Sequence, residues 1–135
     1  MNPITDARLF RESIAVLIGG GIGSLCRFAF SFWVQERTQT EYFPWGIFAV
    51  NVLGCFAIGI LYGLLVTRFN AGYIVRAGVF IGLLGGFTTF SSFSLDTMHL
   101  LHSGAYGVAT LYVLSSVGSC IAATALGLML YRFIL

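Results

Sequence analysis

The chain has 135 residues, of which 58% are hydrophobic and 9% charged, with a formal net charge of +2 and no lysine; its mean hydropathy is +0.92. Soluble globular domains carry about 25% charged residues, so this composition excludes an ordinary soluble enzyme, and the lack of a basic stripe excludes nucleic-acid binding. The length suits a single transmembrane domain over residues 1–135 with room for four spans and little else.

Residues 1–12 form a polar lead carrying Arg8 and Arg11. The apolar run behind it is too long for a signal-peptide core and ends in no small-residue cleavage site, so it reads as a retained first span over about 13–34. Arg27 interrupts that span. An arginine at mid-membrane costs about 2.5–3.5 kcal/mol on insertion scales, so it needs a partner, an aqueous vestibule or a snorkelling route. A polar loop, 35–43, holds Glu36, Arg37 and Glu41 and is closed by Pro44, which suits the first turn of a following helix. The second span, 46–67, has no formal charge and one amide, Asn51. At 1.5 Å per residue it reaches about 33 Å, enough for a hydrocarbon core of about 30 Å.

A short turn, 68–72, leads to a third span over 73–95, with Arg76 near its start. A loop is expected at 96–104, containing Asp96, His99 and His102, and a fourth span over 105–131 ends at Arg132. An even number of spans puts both termini on one side. Arg8, Arg11, Arg68, Arg76 and Arg132 then share that side, opposite Arg37, and the positive-inside rule expects the termini in the cytoplasm. Cys26, Cys55 and Cys120 all fall within apolar runs without metal-ligand spacing and read as small hydrophobes. Gly19 and Gly23, Gly59 and Gly63, and Gly78, Gly82 and Gly86 stand four apart, the spacing at which membrane helices approach closely.

The second half of the third span carries Gly85-Gly86-Phe87-Thr88-Thr89-Phe90-Ser91-Ser92-Phe93-Ser94. Paired glycines weaken a helix, and the hydroxyls that follow compete for backbone partners. Non-helical backbone survives at membrane depth only when buried in protein or facing water. The segment therefore predicts a broken helix whose freed carbonyls and polar groups face something that binds or passes.

In the fourth span Tyr112, Ser116, Cys120 and Thr124 recur every four residues and so form one row along a helix. Such a row either hands a small ion from donor to donor or simply bonds its own preceding carbonyls. Asn51 either faces a cavity or makes an interhelical hydrogen bond. Phe90 and Phe93, three apart, share a helix face. They either pack a core or turn their electropositive ring edges toward an anion, which would bind it weakly enough to release. Enzyme chemistry finds no foothold, because the spans hold no paired carboxylates. Gly19-Gly20-Gly21-Ile22-Gly23 looks like a dinucleotide turn but follows no strand.

These residues together resemble the Fluc/CrcB family of bacterial fluoride channels. The resemblance covers the chain from Leu17 onward. It rests on Gly19 to Arg27, on Gly46-Ile47-Phe48-Ala49-Val50-Asn51-Val52-Leu53-Gly54, and above all on Gly85 to Ser94. It implies an all-α membrane protein of four transmembrane helices, the third broken, packed as an antiparallel, dual-topology homodimer in the bacterial inner (plasma) membrane. The implied function is passive, fluoride-selective export of cytoplasmic fluoride, which relieves its toxicity. The implied ion pathway is Asn51, Phe90, Phe93, Tyr112, Ser116 and Cys120, with serine often standing at the last position in family members. Arg27 is implied in a vestibule or a structural role. Backbone carbonyls of Gly85 and Thr88 from both subunits are implied to hold one structural Na⁺ at the dimer centre. A small multidrug-resistance-type, proton-coupled transporter is the alternative of similar size. It needs a carboxylate in the first span, and residues 13–34 contain none. A non-transporting assembly subunit would explain the glycines but not the hydroxyl row.

Overall fold

The computed structural model describes residues 3–40 and 42–134. Glu41 of the predicted loop, and Met1, Asn2 and Leu135 at the termini, lie outside the described residues. The described residues contain four helical stretches long and apolar enough to cross a membrane: Thr5–Thr38, Trp45–Arg68, Tyr73–His102 and Tyr106–Phe133. All four predicted spans are therefore present, and each is longer than predicted.

Helix α1 runs over Pro3–Thr38, so the polar lead continues the span instead of forming a tail. Asp6 lies in its first turn, where a negative charge meets the positive end of the helix dipole. Arg8 donates to Glu12 one turn on at 2.7 Å, and its guanidinium lies 4.0 Å from the centre of the Tyr73 ring. At the other end Gln35 organises the connection to the next helix. Its Nε2 donates to the Thr40 carbonyl at 2.7 Å and its Oε1 accepts the Gly46 N–H at 3.1 Å.

Helix α2, Trp45–Tyr62, begins directly after Pro44 and continues as wider π-helical turns over Gly63–Arg68. Helix α3, Tyr73–Arg76, likewise passes into π-helical turns over Ala77–Leu84 and ends in the single α turn Gly85–Phe87. Thr88 and Thr89 are extended, with φ/ψ of −83°/156° and −152°/118°. Helix α4, Phe90–His102, then resumes, and α5 follows over Tyr106–Ile134. The third span is thus broken, at two residues, inside the window the sequence marked.

The predicted 96–104 loop is mostly helix, and only 103–105 turns, with Gly104 at φ +79°. Two features hold the extra helix. The Asp96 carboxylate accepts from the Tyr112 hydroxyl at 3.4 Å, and His99 and His102 occupy the last turn, where N–H donors suit the unpaired carbonyls of a helix C-terminus.

Two seams of small residues hold the bundle together. Along α1 and the third span, a Cβ on Gly82 would sit 2.9 Å from the Val16 carbonyl oxygen, and one on Gly86 would sit 2.6 Å from that of Gly20. Between α2 and α5, Gly59 rests on the backbone at Thr124 and Gly127 on the backbone at Phe56. Helices in lipid gain little from burying apolar surface, so such backbone-to-backbone contact does the work of association. The fully buried side chains are few, led by Val50 and Tyr112. Leu17, Leu25, Phe28 and Phe32 of α1 remain exposed, a surface suited to hydrocarbon.

Replacing Gly86 by valine forces α1 off the third span, since the obstacle is backbone that cannot rotate away. Overpacking of this kind costs about 1–3 kcal/mol and should lower the thermal midpoint of the detergent-solubilised protein. Gly107→Ala, which meets nothing within 4 Å, should leave the midpoint unchanged or raise it.

Candidate functional site

The break is held open by one side chain. Asn51 Oδ1 accepts the Thr89 N–H at 2.8 Å, and Asn51 Nδ2 donates to the Thr89 carbonyl at 3.1 Å. An amide side chain carries both a donor and an acceptor, so it pairs with one extended residue as a neighbouring β-strand would. In a continuous helix the Thr89 N–H would bond the Gly85 carbonyl. Because that N–H is given to Asn51, the Gly85 carbonyl loses its helical donor.

Thr89 is buried and also caps the helix that follows, its Oγ1 accepting the Ser92 N–H at 3.2 Å. Serine and threonine hydroxyls are favoured at such positions because the first turn of a helix has unpaired N–H groups. The Ser91 and Ser92 hydroxyls lie 3.1 Å and 3.2 Å from the same Oγ1. Thr88 Oγ1 turns back to the Leu84 carbonyl at 2.9 Å. Its own carbonyl has Arg27 Nη1 at 3.5 Å, and Ser24 Oγ reaches the Gly86 carbonyl at the same distance. Arg27 therefore meets the intramembrane arginine's need for a partner at the break itself.

Gly85 and Thr88 thus offer carbonyl oxygens outside regular helix pairing, Gly85 free of its donor and Thr88 with only a long arginine contact. Oxygen donors of this kind suit a hard cation, and unwound backbone in membrane helices commonly supplies them.

Beside the break opens a groove of about 310 Å³, lined by Asn51, Cys55, Phe90, Phe93, Ser116 and Cys120 among others. Five of the six residues assigned to a pathway therefore share one cavity, and no lining side chain carries a formal charge. The sixth, Tyr112, is fully buried and packs against Phe93 with the rings tilted at 43° and their centres 5.2 Å apart. Phe93 is buried, whereas Phe90 is 76% exposed, although their ring centres are only 5.3 Å apart.

The four-residue row of α5 divides. The Tyr112 hydroxyl serves Asp96. Thr124 Oγ1 lies 3.1 Å from both the Cys120 and the Cys55 carbonyl oxygens, so it takes the ordinary backward bond. Ser116 Oγ is buried with no partner, and Ser116 is among the residues lining the groove. A buried hydroxyl without a partner costs about 1–3 kcal/mol.

A larger cavity of about 590 Å³ lies between α1, the 39–44 connection and α4, lined in part by Gln35, Asp96 and His99. Phe43, another of its lining residues, meets Tyr112 edge to face at 5.2 Å, so Tyr112 and the aromatic rings around it stand between the two cavities. Sequence reasoning left Asp96, Thr89 and Cys55 without roles. Asp96 falls three residues after Phe93 and Cys55 four after Asn51, so helical spacing alone placed both near the assigned residues.

Four apolar helices, one opened at mid-span beside an uncharged polar groove, define a small multi-pass membrane protein with a discontinuous helix. The family described as CrcB-like protein, Camphor Resistance (CrcB), matches residues 14–128. A protein of Rhizobium leguminosarum bv. trifolii named fluoride-specific ion channel FluC is 44% identical over 121 residues, which is 90% of this chain and 96% of that one. Proteins of the same name from Agrobacterium fabrum and Pseudomonas syringae pv. tomato are each 46% identical, covering 87% and 92% of this chain and 93% and 99% of theirs. The chain belongs to the CrcB family.

Asn51→Ala leaves the Thr89 N–H and carbonyl unpaired beside the groove. Hydrogen exchange should show the Thr89 amide protected about tenfold less or worse, the equivalent of about 1.4 kcal/mol or more. Asn51→Asp keeps the acceptor and loses the donor, and should fall between the two.

Proposed function

We propose that this chain is a fluoride-selective passive channel of the bacterial inner membrane, letting cytoplasmic fluoride leave down its electrochemical gradient. One observation carries the reading. The groove beside the break is uncharged, and Ser116, whose buried hydroxyl has no partner, is among the residues that line it. The relatives' names supply the ion.

Fluoride is small and strongly hydrated, so a path must replace many strong hydrogen bonds without trapping the anion. A fixed arginine would hold it; neutral hydroxyls, an amide N–H and ring edges bind it weakly enough to pass it on. In this reading Ser116 donates its free hydroxyl. Asn51 has one Nδ2 proton remaining after the Thr89 clamp, and Phe90 and Phe93 offer their edges. Tyr112 borders the route on its way to the larger cavity, with Cys120 one turn beyond Ser116 as a weaker donor. The narrowness of the route refuses larger halides. An interior-negative potential supplies about 2.3 kcal/mol per charge per 100 mV, so neither ATP nor a coupled proton is needed. Hydrogen fluoride crosses membranes neutral and dissociates inside, which makes such a leak protective.

The working unit is an antiparallel, dual-topology homodimer. Support comes from Phe90, a large ring 76% exposed at mid-span at the edge of the groove, which a second copy would cover. The Gly85 and Thr88 carbonyls of both copies would hold a structural Na⁺ on the dimer axis, where the cation fastens the pair and raises the local potential for anions. Arg27, at the same break, adds positive charge without standing in the groove. The chain's arginine bias toward one side then has to be tolerated during insertion in both orientations.

Liposomes containing the purified protein should empty fluoride and retain chloride. Phe93→Ile and Ser116→Ala should each slow fluoride efflux by about tenfold or more, the loss of about 1.4 kcal/mol or more at the barrier, with dimer elution unchanged. Wild-type vesicles that stay tight to fluoride end the proposal. Replacing sodium throughout by N-methylglucamine should lower the thermal midpoint of the dimer; an unchanged midpoint argues against the central cation.

A further inference from the structure

Cys55 and Cys120 belong to different helices, yet both line the groove beside the break. The α2–α5 seam brings them together. Gly59 lies against the backbone at Thr124, and the Thr124 hydroxyl lies 3.1 Å from the Cys55 carbonyl and 3.1 Å from the Cys120 carbonyl. Both side chains therefore border the same groove from the two sides of that seam. The third cysteine, Cys26, is exposed on α1 and is absent from the groove lining.

Two thiols side by side in an apolar wall form a donor pair of one chemical kind. Sulfur ligands select soft d¹⁰ cations. Such a cation accepts two sulfurs in line and needs no third ligand. We propose that Cys55 and Cys120 form a two-thiol site for a soft d¹⁰ cation, and that filling it closes the groove to anions. With mercuric chloride the balance is simple: two S–H and two Hg–Cl bonds break, two Hg–S bonds form, and two protons and two chloride ions leave to water. The product is neutral, which favours it over a charged complex in a low-dielectric wall. Its bulk occupies the side of the groove shared with Ser116 and Phe93. The closure, though not the binding, rests on the reading of the groove as the fluoride path.

The test uses the purified full-length protein carrying Cys26→Ala, so that only the pair remains, and mercuric chloride in chloride buffer, which keeps the ion from hydrolysing, as the probe. Titration should show one Hg²⁺ bound per chain, two protons released per ion, and retention of the metal against excess N-acetylcysteine. Adding Cys55→Ser or Cys120→Ser, which keep side-chain shape, should reduce the release to one proton and abolish retention. Two protons and full retention in either double variant, or one proton in the Cys26→Ala protein, overturn the site. In liposomes, one equivalent of Hg²⁺ should cut fluoride efflux of the Cys26→Ala protein by about tenfold or more. The ratio with and without mercury should return to near unity once Cys55→Ser is added. Retained mercury with undiminished efflux overturns the closure. An absence of efflux before mercury is added overturns the channel reading instead, and the proton counts then decide the thiol site alone.

Discussion

Two hydrogen bonds from Asn51 to the backbone of Thr89 are the constraint on which the rest of the arrangement depends. A membrane helix that opens at mid-span exposes peptide groups in a medium with no water to satisfy them. Asn51 supplies a donor and an acceptor in the geometry an extended residue requires, and so makes the opening affordable. Once Thr89 is fixed, its hydroxyl can cap the next helix, and the direction of that helix sets where Phe90 and Phe93 stand. The same pairing strips the Gly85 carbonyl of its helical donor and leaves the Thr88 carbonyl to Arg27. Backbone geometry, helix direction and the chemistry available at the break therefore share one origin.

The clamp works only because α2 and the third span are held at a fixed separation. Glycine seams provide that. Where Gly82 and Gly86 meet α1, and Gly59 and Gly127 meet across α2 and α5, the contacts are backbone on backbone. Such contacts cannot repack by rotamer change, so the bundle is rigid despite having few fully buried side chains. Rigidity matters for a groove of weak donors, since each contributes little and their mutual spacing has to be kept. The two cavities meet around Tyr112, whose ring touches Phe93 on one side and Phe43 on the other.

Much of this could be read in the residues. Four spans follow from hydropathy and charge, and the break follows from Gly85-Gly86 and the hydroxyls after it, because both features oppose helix locally. Five assigned residues meeting in one groove reflects helical spacing within α2, α4 and α5. The sequence is silent where tertiary partners override local cues. Asp96 and two histidines look like a loop, yet the Tyr112 hydroxyl and the helix terminus make helix acceptable there. The polar lead before Ser13 falls outside the apolar run, yet it is helix, with Arg8 bonded to Glu12 and set over the Tyr73 ring. Asn51 alone allows several partners; only the folded bundle brings it to Thr89. That Cys55 and Cys120, on helices far apart in sequence, line one groove has no local signature at all.

The wide turns over Ala77–Leu84 carry a further consequence. A π turn holds more residues than an α turn. Each residue of α-helix advances the chain by about 100° around its axis. A lineage that deleted one position in this stretch would keep its hydropathy, its length class and every motif downstream. It would nonetheless swing the two threonines and both phenylalanines around the helix, away from the asparagine that receives them. The phase of the third span, as much as its composition, therefore decides whether Thr89 meets Asn51, and it is set several residues before the motif it serves.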